Sequence, residues 1–182
     1  MAVSVETFQR LALEDPEGKW ELHRGRLREK PAMTWEHTDV ISYLGYLLTH
    51  QLDRNAFRVH IDGSRLRREG VTTYIPDVAV VPAALSAPLR GQPNRLEIYD
   101  APLPLVVDVW SPSTGDYDLD AKLPEYRARG DLEIWCIHPY ERTLTAWRRQ
   151  PDGSYLETVY HGGPVAAVSL PNVTIDLDIL FA

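Results

Sequence analysis

Two short apolar runs, residues 78–81 (Val-Ala-Val-Val) and 105–109 (Leu-Val-Val-Asp-Val), constrain this chain more than any other feature. A strand with one face in water alternates apolar and polar residues. An almost unbroken apolar run instead fits a strand covered on both faces, so these two belong at the centre of a sheet. Each run also carries a carboxylate. Asp77 opens the first, immediately behind Pro76, and Asp108 interrupts the second. An ionised carboxylate in such a place is costly to desolvate unless it meets a cation, hydrogen-bond donors or a metal. Lys122, fourteen residues after Asp108, supplies a cation. The trio reads either as a buried ion-pair network or as a divalent-cation site in which two carboxylates supply oxygen ligands.

The surrounding pattern builds a scaffold for those strands. Ser4 caps a short amphipathic segment, 6–13, and the stretch 20–28 forms two strand arms around Arg24-Gly25, where glycine accepts the positive φ of a tight turn. Between 36 and 54, Val40, Ile41, Leu44, Leu47, Leu48 and Leu52 recur every three or four residues behind Thr34, which predicts a long helix with Thr34 as N-cap. Residues 57–61 alternate as a half-exposed edge strand, Asp62-Gly63 turns, and 64–68 forms a further charged strand. Leu119, Leu123 and Tyr126 share a helical face that ends near Gly130. Pro124 requires that helix either to start near Asp120 or to bend. Residues 132–137 form another buried strand, 143–147, 155–160 and 165–168 a meander, and 173–181 a closing tail. The proline-rich stretch 82–104 is too long for a simple connection and is read as a lid, a subunit contact or a mobile loop. Strand, strand, helix, strand at the centre predicts a mixed α/β sheet in one domain spanning 1–182.

Composition narrows the function classes. With 19 Lys and Arg against 26 Asp and Glu, the net charge of −7 argues against coating nucleic acid with a broad basic face, and leaves only local basic patches. Arg24, Arg26 and Arg28, with Arg65, Arg67 and Arg68, offer such a patch, although charged edge strands explain them as well. The single cysteine, Cys136, excludes an internal disulfide framework and a cysteine-based zinc site, and it lies in an apolar strand as an inert thiol. No signal-peptide pattern opens the sequence and no apolar run approaches the roughly 18 residues of a membrane span, so a cytoplasmic protein is expected. A G-x-S-x-G elbow and a P-loop are both missing. The five tryptophans, Trp20, Trp35, Trp110, Trp135 and Trp147, are read as core residues.

The order Pro76-Asp77, then a strand ending in Asp108-Val109-Trp110-Ser111, resembles the PD-(D/E)XK restriction-endonuclease-like superfamily. More narrowly, the chain is similar to the Uma-type endonuclease family of bacteria. The likeness runs from Trp20-Glu21-Leu22 and Gly25 through His37, Asp118, Lys122, Tyr126 and Gly130 to Glu133-Ile134-Trp135 and Pro139. It implies a central mixed β-sheet flanked by helices with additional antiparallel strands, and a metal-dependent endonuclease that hydrolyses DNA phosphodiesters. It also implies Mg²⁺ or Mn²⁺ on Asp77 and Asp108 with the Val109 carbonyl as a third oxygen, and Lys122 assisting the attacking water. Glu21 and His37 match family positions that complete the site, and the family likeness suggests a homodimer or larger homo-oligomer. Two departures stand out. Trp110 replaces the superfamily's lysine two residues after the second acid, so the cation falls to Lys122. Asp108 replaces the family's usual glutamate and reaches about 1.5 Å less far, one C–C bond. The alternative is a nuclease-fold module, weakly active or inactive, that binds nucleic acid or serves as a structural oligomer.

Overall fold

The computed structural model describes residues 2–68, 70 and 72–182. In chain order the elements are α1 (Val5–Glu14), β1 (Trp20–His23), β2 (Arg26–Glu29), α2 (Trp35–Gln51), β3 (Phe57–Ile61), β4 (Arg65–Arg68), β5 (Thr72–Tyr74), β6 (Val78–Pro82) and α3 (Ala83–Ser86). There follow β7 (Ile98–Tyr99), β8 (Leu105–Val109), α4 (Gly115–Tyr117), α5 (Leu123–Arg129), β9 (Glu133–His138), β10 (Thr143–Arg149), β11 (Tyr155–Tyr160), β12 (Pro164–Ala166), β13 (Thr174–Asp176) and α6 (Leu177–Leu180).

A six-stranded mixed sheet, ordered β11-β10-β9-β8-β6-β3, carries the site. β8 and β9 run parallel, and the other pairs are antiparallel. The continuous apolar runs are explained by what covers them. On one face Val78, Val80, Leu105, Val107 and Val109 meet Val40, Ile41, Leu44 and Leu48 of α2 and the C-terminal Val165, Ile175 and Leu180. On the other, Ala79, Val81 and Val106 meet Leu66, Tyr74, Tyr99, Leu103 and Tyr126. Each fully buried Val or Leu contributes roughly 1.5–3 kcal/mol, so both layers hold the central strands in place. A second sheet, β2-β1-β5-β4-β7, supplies part of the second layer.

Local chemistry sets the boundaries. Ser4 and Thr34 accept the Thr7 and His37 amides as N-caps of α1 and α2. Arg24 (φ 48°) and Gly25 (φ 78°) make the hairpin turn between β1 and β2. The bend demanded by Pro124 takes a definite form: α4 leads into a π-helical turn, Asp118–Lys122, and α5 continues to Arg129. Pro124 has no N–H to return to the preceding turn, and a wider turn just upstream accommodates that loss. The stretch 82–104, read from sequence as a lid, contact or loop, contains α3, a 3-10 turn at Ala87–Leu89, and β7, which pairs in parallel with β4. Trp35 departs from the core expectation: it is 74% exposed at the start of α2, whereas Trp135 and Trp147 are buried.

Candidate active site

The strands bring the carboxylates together through register. Val78 of β6 lies opposite Val107 of β8, which sets Asp77 beside Asp108 at one end of the sheet's middle. By alternation Asp108 shares the face of Val106, the side on which the π turn and α5 pack. Glu21, Asp77, Asp108, Asp118 and Lys122 are buried around this point, and His37, from the first turn of α2, is buried against Asp77.

Asp77 is fully engaged. Its Oδ1 accepts from the Lys30 ammonium at 2.5 Å, and its Oδ2 accepts from the Val109 amide at 2.6 Å and meets His37 Nε2 at 3.1 Å. Lys30 also reaches Asp62 at 2.5 Å, and Asp62 takes the more exposed Lys19 at 2.7 Å. Burial alone would raise the Asp77 carboxyl, but Lys30, the His37 hydrogen bond and Lys122 outweigh it and hold the group well below the usual carboxylate range. Burial likewise opposes the charge on Lys30, yet Asp77 and Asp62 hold its ammonium up at about 12.

Asp108 is in the opposite condition. Burial, reinforced by Asp118 and Asp77, pushes its carboxyl up to about 7 even though Lys122 pulls the other way. Among the described residues Lys122 is its one ion-pair partner, at a long 3.4 Å. The Lys122 ammonium is shared among Glu21 at 3.1 Å, Asp118 at 3.3 Å and Asp108, and it donates to the Ile75 carbonyl at 3.2 Å. Burial disfavours its charge, but Asp108, Glu21 and Asp118 hold it well above the ordinary lysine range. Asp118 is raised by burial and by Asp77 against the pull of Lys122, and its Oδ1 lies within ion-pair distance of Lys122 but makes no hydrogen bond. Glu21 Oε1 accepts the Ile75 amide at 2.9 Å, so Glu21 and Lys122 together clamp the main chain just before Pro76-Asp77.

Four buried carboxylates (Glu21, Asp77, Asp108, Asp118) thus face two buried ammonium groups (Lys30, Lys122). With all six ionised, two negative charges are left over, and they fall on the Asp108–Asp118 side because Asp77 is already satisfied. Among the described residues no three His, Cys, Asp or Glu side chains converge as a ready-made metal shell. The site nevertheless suits a divalent cation in charge and donor type. Asp108 and the unbonded Asp118 Oδ1 offer hard oxygen donors lacking sufficient positive charge, beside a cavity of about 10 Å³. Asp77 can join them by giving up one of its present donors.

Sequence reasoning named Glu21, His37, Asp77, Asp108, Asp118 and Lys122, and all six gather in this cluster. Val109 contributes its amide to Asp77. Lys30 and the charge on Asp62 escaped it. Nothing in the local pattern around Lys30, which follows a charged strand, marks it as a partner of Asp77 47 positions away. Trp110, standing where the superfamily has lysine, stacks on His138 at 4.3 Å between ring centroids. It also packs on Gly115 so closely that a Cβ there would lie 1.8 Å from its indole nitrogen.

The sequence profile of the Uma2 family, described as "Putative restriction endonuclease", matches residues 5–178. The chain belongs to the Uma2 family. A crystal structure described as a "putative nuclease belonging to DUF820" from Anabaena variabilis superposes with a TM-score of 0.71 over 89% of each chain, at 17% identity. At that identity the likeness concerns the fold, which is a mixed α/β nuclease fold. No curated protein sequence matches. Family and fold together point to a nuclease, and no helix among the described residues of this Uma2 protein is long and apolar enough to cross a membrane.

Proposed function

We propose that this Uma2 protein is a metal-dependent endonuclease that hydrolyses DNA phosphodiesters at the Asp77–Asp108–Lys122 cluster. The observation that carries the reading is a pair of buried carboxyls, Asp108 and Asp118, that share one lysine and lack enough positive charge nearby to ionise readily, in a family and fold of nucleases. Asp77 and Asp108, with the Val109 carbonyl and Asp118, would hold Mg²⁺ or Mn²⁺. Bound there, the ion would polarise a phosphoryl oxygen and lower the pKa of an attacking water. Lys122 orients that water and offsets charge developing on the phosphoryl oxygens. Glu21 aims Lys122 through their 3.1 Å contact, and His37 and Lys30 keep Asp77 ionised. Action in the cytoplasm, as a homodimer or larger homo-oligomer, completes the proposal; light scattering checks the assembly.

The full engagement of Asp77 favours a second reading, a nuclease-fold module without turnover whose charges serve only as a buried network. Supercoiled plasmid and single-stranded DNA incubated with Mg²⁺ or Mn²⁺, beside an Asp108→Asn control, separate the two. Metal-dependent nicking absent from the control supports the enzyme. Intact DNA with both metals, from protein shown to be folded, supports the module.

A further inference from the structure

On the face of the sheet that carries Asp108, away from the buried cluster, a groove of about 400 Å³ opens between β3, the turn that follows α3 and the approach to β7. Arg54, Arg58, Arg90 and Arg95 line it with His60 and a single acid, Glu97. The chain as a whole carries −7, so four arginines on one concavity run against its overall charge. Arg58 donates to the Phe57 carbonyl at 3.0 Å, and acids leave all four unpaired among the described residues. The arginines that form ion pairs among the described residues are Arg67, Arg68, Arg129 and Arg148, and none of the four in the groove does so. Glu97 offers them little, because its Oε1 is taken by His60 at 2.5 Å and Ser64 at 2.6 Å.

Placement ties the groove to the cluster. Phe57 and Val59 pack toward α2, so Arg58 and His60 project from the other face of β3, the face to which Asp108 belongs. Arg58 pairs with Val81, four residues along β6 from Asp77, or about 13 Å at strand rise. That is roughly four steps of about 3.4 Å along a nucleic-acid strand. The arginine fork is suited to phosphate oxygens and reads no sequence by itself.

We infer that the Arg54–Arg58–Arg90–Arg95 groove is a phosphate-backbone site that holds a DNA strand beside the carboxylate cluster. The inference rests on the nuclease reading for its substrate class. Two of the β4 arginines, Arg67 and Arg68, are instead held by Asp100 and Glu125.

The test is fluorescence anisotropy of a labelled 20-base-pair duplex in EDTA across a salt series. It compares the wild type with Arg54→Gln/Arg58→Gln/Arg90→Gln/Arg95→Gln, and with Arg90→Gln/Arg95→Gln, whose two side chains are exposed and whose loss leaves the packing untouched. If all four contact phosphates, the quadruple variant should bind at least about tenfold more weakly at low salt. It should also flatten the slope of log affinity against log salt by about 3–4, with the double variant about half of that. Unchanged affinity and slope in both variants would overturn the proposal, as would failure of the wild type to bind the duplex. So would displacement of the duplex by AMP or inorganic phosphate at comparable concentration, which would make the groove a small-anion site. Groove-dependent binding without metal-dependent nicking would count against the nuclease reading alone.

Discussion

Replacing Asp108 by asparagine should stabilise this protein at neutral pH and have no effect on stability in acid. The Asp108 carboxyl titrates at about 7 in the fold against an ordinary 3.8, chiefly because it is buried. An acid raised in this way binds its proton in the native state while the unfolded chain has already released it, so stability falls as pH climbs through the interval between the two values. At about 1.36 kcal/mol per pH unit, that interval is worth about 4 kcal/mol. The penalty is absent below pH 3.8 and complete above pH 7. Asparagine keeps the shape and carries no such penalty, and Lys122 keeps Glu21 and Asp118 as partners. Urea unfolding in EDTA from pH 4.5 to 8 should show the variant gaining on the wild type by a few kcal/mol, with the gain growing steadily up to about pH 7 and levelling off above it. Repeating the series with Mn²⁺ should narrow the gap from the wild-type side, because an ion that binds only the folded carboxylate stabilises it by roughly 2.7 kcal/mol at 100 times its dissociation constant. A pH-independent difference, or a variant less stable than the wild type at pH 8, would refute the reasoning.

Asp77→Asn should behave in the opposite sense. The folded carboxyl is held low by Lys30 and His37, so its contribution is present above the ordinary carboxylate pKa and lost as pH falls below it; removing the charge should cost about 3–5 kcal/mol at pH 7, read by the same unfolding series, and a stabilised variant would contradict the assignment. Lys122→Met strands Glu21, Asp108 and Asp118 without their shared cation. It should lower thermal stability at pH 7.5, recover part of it at pH 5 as carboxyls protonate, and abolish DNA nicking; unchanged nicking would remove Lys122 from the chemistry. Gly115→Ala drives a methyl into the Trp110 indole at the start of the helical segment that carries Asp118 and Lys122. A loss of about 1–3 kcal/mol together with reduced turnover is expected, and a neutral result would show that Trp110 moves freely.

Much of this site could be read from residue order because its members obey local rules. Asp77 and Asp108 stood out as charges in strands otherwise written for burial, whereas the β6–β8 register that sets them side by side could not be read from runs apolar on both faces. Around Pro124 the spacing left two alternatives, a helix starting near Asp120 or a bend, and the structure resolves them as a π-helical turn, Asp118–Lys122, that sets Asp118 beside Lys122. What escaped was non-local. Lys30 enters just after a hairpin whose own pattern is that of a solvated edge, and only the tertiary fold brings it to Asp62 and Asp77. The groove arginines were invisible for the same reason. They come from a helix end, an edge strand and the 82–104 stretch, which reads as featureless until β7 docks on β4. Trp35 was misjudged because all five tryptophans were assigned to the core by residue type, whereas this one stands exposed at the first turn of α2.

The aspartate at position 108 tests how far this fold has adapted to a short acid. Its carboxylate stands 3.4 Å from Lys122, longer than the roughly 2.7–2.9 Å of a good charge-assisted hydrogen bond. Adding one methylene, about 1.5 Å of reach, would change the position of the carboxylate relative to Lys122. The adjoining cavity of about 10 Å³ is near the minimum for a single water, so a glutamate fits only by taking up that space and shifting the Lys122 head. Asp108→Glu should therefore fold with a penalty of about 1–3 kcal/mol from overpacking in metal-free buffer. If position of the oxygens limits the reaction, turnover should rise despite that penalty, since a misplacement on the order of 1 Å can cost about 100-fold in rate. Parallel nicking and urea-unfolding assays read the two effects separately. Lower stability with unchanged or lower turnover would mean that the backbone of β8 and the π turn already deliver the aspartate where the chemistry needs it.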